Sequence, residues 1–321
     1  MRIKNVFVSI IMLGLVAYGG LKLFMYFQAK KDVDALLAPA RAFMDVQYDQ
    51  ISSSVFGPVG IKGLRFSIPQ LDETITIGEF KLLDYSNIGK MMNGALPSRL
   101  RFSIHDLQFN FNLLDKIEKK AKQEAQRRGQ PYPHPKEATP EIIKRLGYQN
   151  LYNRSNDMRA LGYKQVNLDF DFDLQFNLDT LEARAIMYES MDGAGEFVID
   201  FSFADMSSNM ASAILGVKIK EMKIDYTDHG YVDRLLKLYA DEQNMELEAY
   251  RKLVAAKFEQ DMAEKKIKFN ADSIKSIKRF IENPKRLIVT AYPYRPVAIE
   301  SIKHYKPGDV PMLLNLQARL K

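Results

Sequence analysis

The chain has 321 residues, 46% of them apolar and 27% charged, so it is long enough to bury a real core and too apolar for wholesale disorder. It contains no cysteine, which excludes a disulfide framework, a thiolate metal site and a cysteine nucleophile. A net charge of +6, spread evenly, gives no argument for nucleic acid by itself.

The first element is a membrane anchor. A short basic start, Met1 to Asn5, precedes sixteen uncharged residues from Val6 to Leu21, then Lys22 and a second apolar patch, Leu23 to Phe27. As one helix, Val6 to Phe27 rises about 33 Å, enough to cross a hydrocarbon core of ~30 Å. Lys22 can snorkel, and Tyr26 and Phe27 suit the interface. Ala17, Gly19 and Gly20 also fit a signal-peptide cleavage region, but the apolar stretch resumes after Gly20, which favours an uncut anchor. The short positive N-terminus ahead of a large domain predicts that the bulk of the chain lies outside the cytoplasm, which in a Gram-negative cell is the periplasm.

Residues 30–44 have helical spacing, and strands follow around Val46 to Ile51, Val59 to Ile68 and Ile75 to Leu82. The alternation slips by one at Lys62-Gly63 and Gly78-Glu79, the pattern of a bulge at a glycine, and again at His105-Asp106 within a strand running from Arg99 to Leu113. From Leu114 to Arg128 the pattern is a basic helix, then a stiff Pro-rich linker at 130–135, then a helix opened by Thr139-Pro140-Glu141.

The clearest strand is Val166 to Asp179. Val166, Leu168, Phe170, Phe172, Leu174, Phe176 and Leu178 alternate without a break against polar residues, which predicts a long antiparallel strand with one apolar and one wet face. Strands follow at 183–188, 196–203 and 217–226. Helices begin at Tyr231 and at Asn270, with Leu247, Tyr250, Val254, Phe258 and Met262 as one buried stripe and Ile274, Ile277 and Ile281 inside the second. Arg286 to Tyr292 returns to strand, and an apolar segment from Met312 to Leu320 closes the chain.

The fold class expected is α+β: an N-terminal transmembrane helix, a long, mainly antiparallel, bulged sheet, and a C-terminal helical segment packed on it. Its parts are the anchor (1–28), an N-terminal β region (29–113), the basic helix, linker and helical insertion (114–162), the antiparallel sheet (163–228), the helical segment (229–283) and a closing strand segment (284–321).

No catalytic constellation is readable, and the chain is expected not to be an enzyme and to need no cofactor. The four histidines have no metal-ligand spacing. Asp169, Asp171 and Asp173 open like a calcium loop, but the sixth and twelfth positions are Leu174 and Thr180, so these carboxylates line a wet strand face. Asp228, His229 and Asp233 form either an acid–base set or a helix start capped by Asp228, and the cap is the simpler reading.

The order of features then resembles a known group. The anchor, Ile51-Ser-Ser-Ser-Val-Phe-Gly-Pro-Val-Gly-Ile-Lys-Gly-Leu-Arg-Phe66, strands each with a hydrophobic face, and Arg286-Leu-Ile-Val-Thr-Ala-Tyr-Pro-Tyr-Arg-Pro-Val297 resemble AsmA-like and YdgA-like (DUF945-type) single-pass envelope proteins of Gram-negative bacteria. The resemblance covers most of the chain through strand-and-turn patterns and carries over no functional residue. It implies a periplasmic protein of the inner membrane that serves envelope maintenance or phospholipid handling, with membrane lipid and an envelope protein as partners and no nucleic acid. The alternative is a membrane-anchored scaffold or secretion-system subunit. The lipid-facing candidates are Val166, Leu168, Phe170, Phe172, Leu174, Phe176 and Leu178, and the apolar face they form is either covered by the C-terminal helices or left open as a groove.

Overall fold

A computed structural model describes residues 26–35, 37–53, 58–84, 94–130, 155–209 and 216–321. Most of the proposed anchor, Val6 to Phe27, lies outside the described residues, as do the Pro-rich linker and the Thr139-Pro140-Glu141 helix start. Among the described residues no helix is long and apolar enough to cross a membrane.

Among the described residues twelve strands form one antiparallel sheet. Its backbone is a meander in which β3 (Val59–Ile68), β4 (Glu73–Leu82), β5 (Arg99–Asn110), β6 (Gln165–Asn177), β7 (Glu182–Met191), β8 (Gly195–Ala204), β9 (Lys218–Asp228) and β10 (Arg286–Ala291) each pair with the next. β1 (Asp45–Gln47) and β2 (Gln50–Ser53) pair with β3 at one edge. β12 (Leu316–Leu320) closes the other edge on β10, and β11 (Val297–Ala298) pairs with β9. The β4–β5, β6–β7 and β8–β9 connections therefore share one end of the sheet, called lower here, and the β3–β4 and β7–β8 turns share the upper end.

The slips at the glycines keep the apolar residues on one face, but not as two separate bulges. Lys62 pairs with Glu79 and Leu64 with Ile77 in unbroken register, so β3 and β4 change phase together at the facing glycines 63 and 78. Gly63 is left-handed, at φ +63°, and a Cβ on Gly78 would stand 2.8 Å from the Asp106 Cβ. Of the three slips only the one at His105-Asp106 makes a one-residue bulge, between β5 and β6, where Ile104 faces Phe170 but Leu107 faces Leu168. There Asp106, also left-handed, donates its backbone N–H to Asp169 Oδ1 at 2.8 Å. β6 thus keeps its strict alternation while its neighbours bend.

β5 ends at Asn110, three residues before the expected Leu113. The Asn110 side chain accepts the Asn112 N–H at 2.9 Å and starts helix α1 (Phe111–Arg127), on which Phe111 and Leu113 are buried. The cap outweighs a strand pattern that alternation alone would extend. Lys116 on this basic helix reaches Leu71 O and Glu73, both at 2.7 Å, and Arg159 of the short helix α2 (Ser155–Ala160) pairs with Asp115 at 2.6 Å.

The C-terminal helices are α3 (Tyr231–Glu242), α4 (Leu247–Glu264) and α5 (Ala271–Glu282). α4 packs on α3 and α5 and not on the centre of the sheet, so only part of its expected stripe is buried. Tyr250 and Met262 are buried, with Ala255; Leu247, Val254 and Phe258 are half-buried. In α5 the buried residues are Ser273 and Phe280, while Ile274, Ile277 and Ile281 are half-buried. Two short turns, α6 (Ile299–Ile302) and α7 (Val310–Leu313), lead into β12.

α5 also finishes the β12 edge. Asn270 Oδ1 accepts the Ser273 N–H at 2.7 Å, and Ser273 Oγ, 1% exposed, accepts the Ala318 N–H at 2.8 Å. An outward-pointing strand amide that invites another strand is consumed by a buried hydroxyl. Ser273→Ala strands that amide and is expected to lower stability by about 1–3 kcal/mol, read from urea denaturation midpoints.

On the wet face, arginine–aspartate pairs bridge neighbouring strands. Arg99 reaches Asp173 at 2.9 Å, Arg184 reaches Asp200 at 2.6 Å, and Arg286 holds Asp225 through two hydrogen bonds of 2.7 and 2.8 Å. The Arg286 hydrogen bonds, opposed by burial and assisted by Lys223, pull the Asp225 carboxyl from its ordinary 3.8 down to about 2. A depressed carboxyl stabilises the fold above its ordinary value and ceases to do so as pH falls through its folded value. The stability advantage of wild type over Asp225→Asn should therefore be level near neutrality and shrink between about pH 4 and pH 2, as followed by urea melts across that range.

Candidate functional site

The register assembles the apolar residues into rows running across the sheet. One row reads Val59, Leu82, Phe102, Phe172, Met187, Ile199, Ile224, Val289 and Ala318 through successive strands from β3 to β12. Every side chain in it is apolar. The next row towards the upper end is Ile61, Phe80, Ile104, Phe170, Glu189, Phe197, Tyr226, Leu287 and Leu320. Glu189 is its one charged member.

Among the described residues three covers lie on this face. At the β3 edge the helical residues 26–35 and 37–41 place Ala29, Val33 and Leu37 against Val59, Ile61, Leu64 and Ile77. At the β12 edge Ile302, Val310 and Leu314 pack on Ala291 and Leu316, and the Phe280 ring meets Tyr226 edge-on at 5.9 Å. At the lower end the β4–β5 and β8–β9 connections meet, through the Ala95–Asn209 bridge and a 2.9 Å hydrogen bond from Leu96 N–H to Ser208 O. Leu96 and Met206 of this strap pack on Leu174, Phe176, Ala183 and Ala185.

Between these covers the face is half-buried. Phe102, Ile104, Phe170, Phe172, Met187, Ile199, Phe201 and Ile224 all keep part of their surface in solvent. Phe102 sits among Phe80, Phe170 and Phe172 with ring centroids 6.3, 5.8 and 5.2 Å away. The result is a patch of aromatic and aliphatic surface on a rigid sheet, with a rim on three sides. A contiguous apolar surface left partly exposed in this way is a feature of binding proteins more than of an ordinary core.

The candidates from the sequence divide into three groups. Val166, Leu168, Phe170 and Phe172 lie on the half-buried stretch. Leu174 and Phe176 are 9% and 4% exposed under the strap, so they belong to the core. Leu178 is a correction: β6 ends at Asn177, whose side chain accepts the Asp179 and Thr180 amides, and Leu178 falls in the turn, 53% exposed. Alternation continues one residue past the point where the turn bends the chain away. Phe102, Met187, Ile199, Phe201 and Ile224 join the patch only because the register brings them there.

No acid–base set forms at Asp228. Its carboxylate accepts the Gly230 and Val232 amides at 2.8 and 3.0 Å and the Tyr226 hydroxyl at 2.6 Å, so it caps α3 from two residues before the capping position. Burial and this hydrogen bond push the Tyr226 phenol up and keep it protonated. Asp233 is engaged by Arg251 at 2.5 Å and His229 lies 3.8 Å from Glu196. Among the described residues no group of three potential ligands is placed to hold a metal ion. A cleft of about 300 Å³ at the lower strand ends includes Gln175, Asn177, Arg184 and Lys220, and its cations are already paired, Arg184 with Asp200 and Lys220 with Glu182.

Residues 164–321 match the model of a family described as an uncharacterized protein. The match begins immediately before β6 and takes in the strands and helices from there to β12. No curated protein matches the chain.

Two truncations separate core from patch. Phe176→Ala under the strap is expected to cost about 3–5 kcal/mol, and Phe170→Ala distinctly less, because part of the Phe170 ring already faces water. Chemical denaturation of both variants checks this, and equal losses would mean that the patch is closed.

Proposed function

We propose that this protein is a membrane-anchored, non-enzymatic envelope protein of the bacterial inner membrane, with most of its chain in the periplasm, that holds or passes phospholipid acyl chains on the open stretch of its apolar sheet face. The observation that carries the reading is the half-buried run of Phe102, Phe170, Phe172, Met187, Ile199 and Phe201 inside a rim of helices and strap. Acyl chains need area and shape without hydrogen-bond partners, and each methylene removed from water contributes about 0.8 kcal/mol. The charge-free stretch from Val6 to Leu21 supports delivery of that face to a membrane surface, and the resemblance to AsmA-like and YdgA-like envelope proteins points the same way.

Phe172→Glu tests the reading. On an open face the carboxylate stays partly hydrated, so the variant folds but loses lipid; in a closed core it buries an unpaired charge and unfolds the domain. Wild type extracted gently is expected to carry phospholipid by native mass spectrometry, and folded Phe172→Glu to carry less than a tenth as much. Lipid-free wild type together with an unfolded variant would overturn the proposal.

A further inference from the structure

Glu189 stands on the apolar face, two residues from the upper end of β7. It lies opposite Phe170 on β6 and Phe197 on β8, with Met187 and Met191 two residues to either side on the same face. Phe197 in turn stacks on Tyr226, with centroids 4.4 Å apart. No hydrogen bond or ion pair joins the Glu189 carboxylate to another described residue. The arginine–aspartate pairs of the central strands are made on the opposite, wet side, and Asp228, which shares the apolar face at the upper end of β9, is occupied in capping α3.

A carboxylate only accepts hydrogen bonds, and leaving one beside apolar side chains costs solvation that a bound cation restores. The aromatic rings on either side favour the same kind of guest, because an ammonium group is drawn to the faces of aromatic rings. An anionic group set beside this carboxylate would meet repulsion. Along β7, Glu189 lies four residues above Ala185, where the strap begins to cover the face, a run of about 13 Å at ~3.3 Å per residue. That is close to one leaflet of acyl chain, half of a ~30 Å hydrocarbon core.

We propose that Glu189 selects the head group of the bound lipid: it receives the ammonium of an amine-bearing phospholipid, while the acyl chains run down the face past Phe172 towards the strap. This rests on the lipid-handling reading above and adds the chemical class of the ligand. The two negative charges that meet there, the phosphate of the lipid and Glu189, are separated by the ammonium between them.

The experiment offers the full-length protein, stripped of lipid in detergent, an equimolar mixture of phosphatidylethanolamine and phosphatidylglycerol with identical acyl chains, and reads bound species by native mass spectrometry. Wild type is expected to take the ethanolamine lipid roughly five- to tenfold in excess, the scale of one charge-assisted contact at a half-exposed site. Glu189→Gln should bind the same total lipid with a ratio near one, and Glu189→Lys should turn the preference towards phosphatidylglycerol. Both variants should melt with wild type, since the side chain has no partner to lose. An unchanged ratio in Glu189→Gln, or a wild-type preference for phosphatidylglycerol, would overturn the head-group assignment while leaving acyl-chain binding intact. Failure of wild type to bind either lipid would overturn both proposals. Oligolysine binding that is lost in Glu189→Gln, with the lipid ratio unmoved, would assign the carboxylate to a protein partner and refute this one.

Discussion

In a sheet with one apolar face, every strand has to turn its apolar residues to the same side as its neighbours, and the side-chain period of two makes that demand unforgiving. One uncompensated extra residue would flip the rest of a strand into water. The meander from β3 to β10 meets the demand by changing phase in concert. Gly63, Gly78 and Asp106 fall at facing positions of three successive strands, and one bulge opposite Asp169 returns the register to β6, which never changes phase. A second shift, at Ser202 and Phe203, does the same between β8 and β9. The continuous rows of the apolar face exist because these corrections cancel.

The wet face holds the same register by a different means. Arg99 with Asp173, Arg184 with Asp200 and Arg286 with Asp225 each bridge adjacent strands, and a slip of one residue would send one partner of each pair to the apolar side. The exposed pairs Arg99–Asp173 and Arg184–Asp200 contribute little net stability, whereas the Asp225 carboxylate is buried and its pair with Arg286 stabilises the fold. Their effect is to make alternative pairings worse, which matters in a long meander where many registers bury similar apolar area.

Coverage of the face is unequal for a geometric reason. The leading helix and the C-terminal helices attach near the two edges, where the chain enters and leaves the sheet, and the strap closes only the lower end. The β6–β7 and β7–β8 connections are short turns that supply no helix, and α1, which follows β5, reaches the β3–β4 turn at the upper end. The half-buried aromatic patch and the unpaired Glu189 therefore occur in the same place. An incompletely covered sheet face is costly in water, and an amphiphilic ligand would offset that cost.

Much of this was legible in the chain itself. The strict alternation from Val166 to Asp179 defines a strand with one apolar and one wet face, though it runs two residues past the strand's end at Asn177, the glycines mark where phase changes, and Asn270 announces its helix, because each is a local property of a few neighbouring residues. Other features depend on positions far apart in sequence. Whether a phase slip is a bulge or a concerted bend depends on what stands opposite, and Asn110 ended β5 early by capping a helix where alternation alone runs on to Leu113. The placing of Leu174 and Phe176 in the core, with Phe172 at its margin and Phe170 half-buried beyond it, was decided by Leu96 and Met206, which approach from two separate connections. Glu189 reads as an ordinary strand carboxylate until register sets it between Phe170 and Phe197, because a side chain's face is fixed by its own strand but its neighbours are fixed by pairing.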